Sequence, residues 1–572
     1  MIKKRKFPLL LTLGTAGGLI SSGVAAYLVL LLQNPLPRNL PTGVNIIPQD
    51  AVFALSLSTN TGQWRKLREF GTPQLQAELE KNLADWRDRL FADSGYNYQR
   101  DIQPWVGEEI TIAIVSTQNQ KPPLKPIASD EQDITLAQGI MVVIPVANPV
   151  KAQQILANPT NLKAGKWVQR TYKGITIKET QNPGEQNYSA ALLNGQFLVV
   201  SDHPTTLDKA INAYKDGTSL AKTPGYTDNI RKITTTQPFA EVYVNVPLAA
   251  KIATATSNRQ LPAQVLAQLQ HNQGLAASIN LETQGVRLQG VSWLKPNSNR
   301  THRVQNNAGK MQNRLDSETL MMLSGGNLEQ LWQDYAITSQ NNPLAPLQPE
   351  KLRAGVKSLT NLDLDRDFLR WMRGEFSVAV IPATPTPGQA QDFRAALVFM
   401  VQVSDRQRGE QTLEKLDLVM KNQLQFQVQE TSIGGNPVVN WISPLAGGKL
   451  TATRGWLDNN VAFISLGASV TDKIVPKPQI TLASTSKFQQ TVPSELNPNN
   501  GQFFLDVDSA VKNFPLPTMF PNQQIFLESM HSLGITAAVS DRHSTRYDMF
   551  FHLKKISQTQ FPPPPIRKQD RK

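Results

Sequence analysis

The chain has 572 residues, no cysteine, 18% charged residues and a formal net charge of +13. Without cysteine there is no disulfide, no thiol nucleophile and no cysteine-ligated metal. The positive charge is not a nucleic-acid face either: Lys3, Lys4, Arg5 and Lys6 hold four charges and the tail from Lys554 a net five, which leaves only four over the body.

Residues 1–6 form a basic end. Phe7 to Leu32 follows with 26 residues and no charge. A bilayer core about 30 Å thick takes roughly 20 apolar residues as a helix, so this stretch predicts a transmembrane helix and a lipid bilayer as partner. Basic residues favour the cytoplasmic side, which places residues 1–6 inside and the body outside. A cleaved signal peptide is the alternative, with Val24-Ala25-Ala26 as its cleavage site. The apolar run, however, continues past that site from Tyr27 to Leu32, so a retained anchor is expected. Gly14, Gly18 and Ser22 fall four apart, a spacing that lets two membrane helices pack as a homodimer; small residues are also common in anchors with no such role.

Residues 33–48, with Pro35, Pro37, Pro41 and Pro48, read as a stalk. Ala51 to Ser58 alternates as a strand. Thr72-Pro73 opens a helix, with Thr72 as its cap. Leu75, Leu79, Leu83, Trp86 and Leu90 supply its apolar stripe.

Asp101 to Val115 reads DIQPWVGEEITIAIV, and Asp367 to Ile381 reads DFLRWMRGEFSVAVI. Trp105 matches Trp371 and Glu109 matches Glu375. Further matches come in the same order. Ile140–Val146 and the helix after it match Ala396–Val403 and Leu413–Met420. Leu192–Ser201 matches Trp456–Ser465, Gly274–Ile279 matches Gly534–Val539, and Leu294-Lys295 matches Leu553-Lys554. Ordered self-similarity of this kind predicts a tandem repeat. Turn signals at Asn194-Gly195, Asn459-Asn460 and Thr283–Gly285 make the strands antiparallel. The expected fold is therefore α+β: an N-terminal transmembrane helix, then two tandemly duplicated antiparallel domains with helices on one sheet face. Their bounds are 49–298 and 314–556, joined by a linker at 299–313. Thr117–Asp133 and Pro382–Asp392 are expected as loops at hairpin tips. Residues 557–572, with Pro562 to Pro565, form a proline-rich basic tail.

The anchor, WVGEEITIAIV at Trp105–Val115, NGQFLVVSD at Asn194–Asp202 and the β-rich ending resemble a cyanobacterial membrane-anchored family known as domain of unknown function 3352. The resemblance runs from the anchor to about Lys555. It implies a single-pass protein of the cell or thylakoid membrane with its body in periplasm or lumen. It carries no activity and no site residues.

None of the six histidines (His203, His271, His302, His531, His543, His552) has a second at helical ligand spacing; His543 and His552 share the last hairpin and are read as ordinary strand residues. Asp363, Asp365 and Asp367 begin like a calcium loop. Phe368 stands where that loop needs glycine and Gly374 where it needs glutamate, so Asp365 or Asp367 is expected as a helix cap instead. Glu108, Glu109 and Glu375 are carboxylates at a strand head, and shared packing or an ion pair explains them better than acid–base work. Ser324-Gly325-Gly326-Asn327 lacks the lysine of a phosphate loop and reads as an N-cap turn. No G-x-S-x-G, P-loop or H-E-x-x-H is present. No catalytic, cofactor or metal residue is assigned. The expected function is a non-enzymatic, anchored binding or scaffold module with a protein or envelope partner. The alternatives are a tethered carrier of lipid or another apolar ligand, and a hydrolase with an unrecognised site.

Overall fold

The computed structural model describes residues 40–91, 102–117, 138–157, 166–181, 188–233, 235, 237–256, 271–339, 348–384, 394–443, 451–514 and 523–556. Short runs of alternating or wholly apolar residues build its strands. The first ten are β1 (Ala51–Ser58), β2 (Glu109–Ser116), β3 (Gln138–Pro145), β4 (Lys166–Tyr172), β5 (Ile175–Gln181), β6 (Ser189–Leu193), β7 (Phe197–Ser201), β8 (Ala240–Val244), β9 (Asn272–Leu281) and β10 (Gly285–Leu294). The second ten are β11 (Met321–Gly325), β12 (Phe376–Pro382), β13 (Ala395–Gln402), β14 (Gln427–Ile433), β15 (Asn436–Ile442), β16 (Thr451–Leu457), β17 (Val461–Gly467), β18 (Gly501–Asp506), β19 (Met530–Asp541) and β20 (Ser544–Leu553).

All 20 strands join one antiparallel sheet. From one edge the order is 4-5-6-7-3-2-1-8-9-10, and from the other 14-15-16-17-13-12-11-18-19-20. The runs meet where β10 pairs with β20 from Gly285↔His552 to Trp293↔Ser544.

This corrects the expected fold. Two tandem domains with separate sheets do not form, because the last hairpin of each half would leave a long unpaired edge, and each edge satisfies the other. The linker adds to the seam: Asn306 exchanges hydrogen bonds with the Val539 backbone, and His302 N–H donates to the Arg542 carbonyl. Among the described residues no helix is long and apolar enough to cross a membrane; Phe7–Leu32, Gly14, Gly18, Ser22 and the tail 557–572 lie outside them. So do most of the two hairpin-tip insertions, although the strands they join, β2 with β3 and β12 with β13, are antiparallel neighbours as expected.

The expectation of helices on one face is also corrected, since both faces carry cores. One face of the first half packs Ala113, Val143, Ile177 and Val291 in one core with Leu207, Ala210 and Ile211 of the helix Pro204–Asp216. The other packs Leu55, Leu57, Ile112 and Val142 against Trp64 and Leu79, from the helices Thr61–Arg68 and Pro73–Phe91. Thr72 Oγ1 does cap the latter, accepting from Leu75 N–H at 3.2 Å. That second core crosses the seam through Leu288 and Met549, cross-strand partners on β10 and β20.

Candidate functional site

The repeated carboxylates are internal struts. Glu375 is 2% exposed. Its Oε1 accepts from the backbone N–H groups of Gly309, Lys310 and Met311 at 2.8, 2.7 and 3.0 Å. Glu109 ties down the chain before β1 in a related way, accepting from Thr42 N–H at 3.0 Å. The matching tryptophans are buried, and each lends its carbonyl to the residue just past a strand: Trp105 to Ala147 and Trp371 to Ser404.

The aspartate triplet caps, but through a different residue than expected. Asp363 accepts from Arg366 N–H at 2.9 Å to start a π-helical turn at Leu364–Leu369. Asp365 instead binds Arg353 at 2.6 Å and Trp332 Nε1 at 2.9 Å, and the Arg353 bond holds its carboxyl below the ordinary range. The turn at Ser324–Asn327 ends in Asn327, whose side chain accepts from Gln330 N–H. The next N–H groups, of Leu328 and Glu329, donate to the carbonyls of Gly374 and Met372, so backbone rather than an anion satisfies them.

His543 and His552 sit at opposite ends of the last hairpin. The histidines that meet are His531 and His552, with ring centres 5.2 Å apart. His531 Nδ1 lies 2.6 Å from Asp508 Oδ2, and Lys554 binds the other carboxylate oxygen at 2.9 Å. Sequence spacing could not reveal this cluster, because a bulge between Met530 and Ser532 sets it. Among the described residues no group of three or more His, Cys, Asp or Glu side chains could hold a metal.

Two features of the sheet do not follow from any single motif. The first is a polar file through its middle. Thr111, Ser56, Glu241, Ser278, Gln289, Asp548, Thr536, Gln502, Ser324 and Ser377 are successive cross-strand partners over ten strands. Nearly all are buried. Ser56 and Thr111 bond each other at 2.9 Å. A cavity over that end, lined also by Tyr226 and Tyr243, has room for about one water, far too little for a lipid tail. Burial pushes both phenols up.

The second feature lies on the opposite face. Leu466, Leu397, Val380, Met321, Leu505, Leu533, Phe551, Val286 and Leu281 form an unbroken cross-strand row from β17 to β9. A parallel row two residues along each strand runs Ile464, Phe399, Val378, Leu323, Phe503, Ile535, Met549, Leu288 and Ile279. No position in either row is polar. On a two-sided sheet such rows should be covered. Yet every member of the first row is only half-buried or exposed; Leu397 and Leu466, direct partners, are 41% and 47% exposed.

The sequence matches the family described as Protein of unknown function (DUF3352) over residues 12–553. The chain belongs to the DUF3352 family. No curated protein matches it. Among solved structures, this DUF3352 chain is similar to crystal forms IV and III of TP0453, at 10% and 8% identity and TM-scores of 0.25 and 0.23. The matches cover 44% and 45% of this chain and 81% and 82% of those. Scores this low carry no argument about fold or function.

Proposed function

We propose that this DUF3352 protein is a non-enzymatic binding module held at a bilayer, and that the open apolar band on its second half is the docking surface. The band carries the reading: a contiguous apolar strip left open on a folded surface often marks a binding site, and Leu397 and Leu466 head such a strip. The repeated carboxylates support it too, since Glu109 and Glu375 hold backbone within the fold. The uncharged segment Phe7–Leu32, with Lys3–Lys6 before it, supplies the tether. It leaves the N-terminus cytoplasmic and the body on the far side.

The test uses the full chain in its native membranes. Leu397→Asp/Leu466→Asp should fold as the wild type, because both side chains face outward, and should lose whatever co-purifies stoichiometrically after mild solubilisation. Identical co-purification for variant and wild type overturns the docking surface. Release of the protein from membranes by alkaline wash overturns the tether.

A further inference from the structure

The geometry points to a specific occupant of this band: the acyl chains of membrane phospholipid, lying across the strands rather than enclosed in a pocket. The inference rests on the reading that the band is the working surface, and it names what binds there.

Three observations choose the occupant. First, the floor is chemically uniform. From Leu466 through Leu397, Met321, Leu505 and Leu533 to Phe551 there is no hydrogen-bonding or charged side chain. A protein partner would ordinarily be matched by a polar rim and about one hydrogen bond per 100–200 Å²; a hydrocarbon chain needs neither. Second, the band is small. Seven strands, β17 to β20 in spatial order, span about 29 Å, and the open row, beside a row buried at Phe503 and Met549, takes roughly 7 Å along the strands. That is about 200 Å², a quarter of the roughly 800 Å² that each partner gives to a stable protein interface. Third, the length suits a lipid tail. One leaflet of hydrocarbon is about 15 Å thick, half of the roughly 30 Å core, so two tails lie end to end along the band. The most exposed pair, Leu397 and Leu466, sits at the end away from the seam.

Photocrosslinking of the full chain reconstituted in phosphatidylcholine vesicles carrying an alkyne-tagged acyl chain tests this. A benzophenone amino acid replaces Leu397, Leu466 or, as control, the exposed Gln429 on β14. Tagged lipid should attach at 397 and 466 at least tenfold above 429. Equal labelling at all three positions overturns the inference, because it reports only nearness to the vesicle. The same variants irradiated in native membranes separate the two readings. A protein adduct at 397 without lipid keeps the docking surface and removes the lipid. No adduct of either kind at 397 or 466 removes both.

Discussion

Arg287 on β10 and Asp548 on β20 form a two-pronged ion pair across the seam where the two halves of the sheet meet. Nε donates to Oδ1 at 2.9 Å and Nη2 to Oδ2 at 2.6 Å. Arg287 also engages Glu495 and Glu282. Asp548 is 2% exposed; burial pushes its carboxyl up, against the pull of Arg287. The Arg287 bond holds Glu495 down. Removing one partner of a buried pair strands the other, so Arg287→Ala, which leaves the buried Asp548 unpaired, should cost about 3–5 kcal/mol in urea unfolding. Arg287→Met with Asp548→Leu should cost much less, since the seam's other face is already apolar. Equal losses for the single and double variants would sink this account.

The cluster at Asp508 sets an acid limb on stability. Burial raises the Asp508 carboxyl, but the bonds from His531 and Lys554 outweigh it and leave the group below its ordinary 3.8. A depressed carboxylate stabilises the fold above its unfolded value and loses that contribution as pH falls through the folded one. His552 is pushed below 6.5 by burial first and by His531 second, with Asp508 opposing. The unfolded chain then takes up that proton before the folded one, so stability also declines as pH drops below 6.5. Melting temperature should thus fall in two stages on acidification. His552→Gln should flatten the upper stage and Asp508→Asn the lower. A profile unchanged in either variant contradicts the assignment.

Glu375 tests whether the repeated glutamate is a strut or an acid. Glu375→Ala leaves three N–H groups, that of Met311 fully buried, without their acceptor, which should cost about 2–3 kcal/mol in chemical denaturation. Glu375→Gln, which keeps an acceptor oxygen for those N–H groups, should cost less, nearer about 1 kcal/mol. The reverse order would mean that the three donors at Gly309–Met311 find other partners.

Local chemistry made much of the fold legible. Thr72-Pro73 signals a helix start, and Asn194-Gly195, with φ of 48° and 69°, signals the hairpin between β6 and β7. The alternation of Ile175, Thr176 and Ile177 gives a strand. What could not be read was how the halves meet. The pairing of β10 with β20 joins residues more than 250 positions apart, and no periodicity encodes which edge seeks which. The candidate site was hidden for the same reason. Leu397, Met321 and Leu505 each look like ordinary strand residues, and the band exists only once register aligns them. Asp363 rather than Asp365 became the cap because Asp365 was drawn to Arg353, a partner on another helix.

The polar file gives the sharpest test of register. Ser377 ends it on β12, fully buried, and its hydroxyl makes no hydrogen bond among the described residues. Its neighbour Ser324 is served by Gln502, whose N–H donates to Ser324 Oγ at 3.2 Å. An unpaired buried hydroxyl costs roughly 1–3 kcal/mol, so Ser377→Ala should raise stability by about 1 kcal/mol in urea titration. Ser324→Ala should lower it by a similar amount, because Gln502 loses its acceptor. Thr536→Val should also destabilise, since its hydroxyl donates to the Pro493 carbonyl at 2.6 Å and would leave that oxygen unpaired. If Ser377→Ala is instead the more damaging change, the hydroxyl has a partner such as a bound water, and the file is a hydrated path through the sheet rather than a dry one.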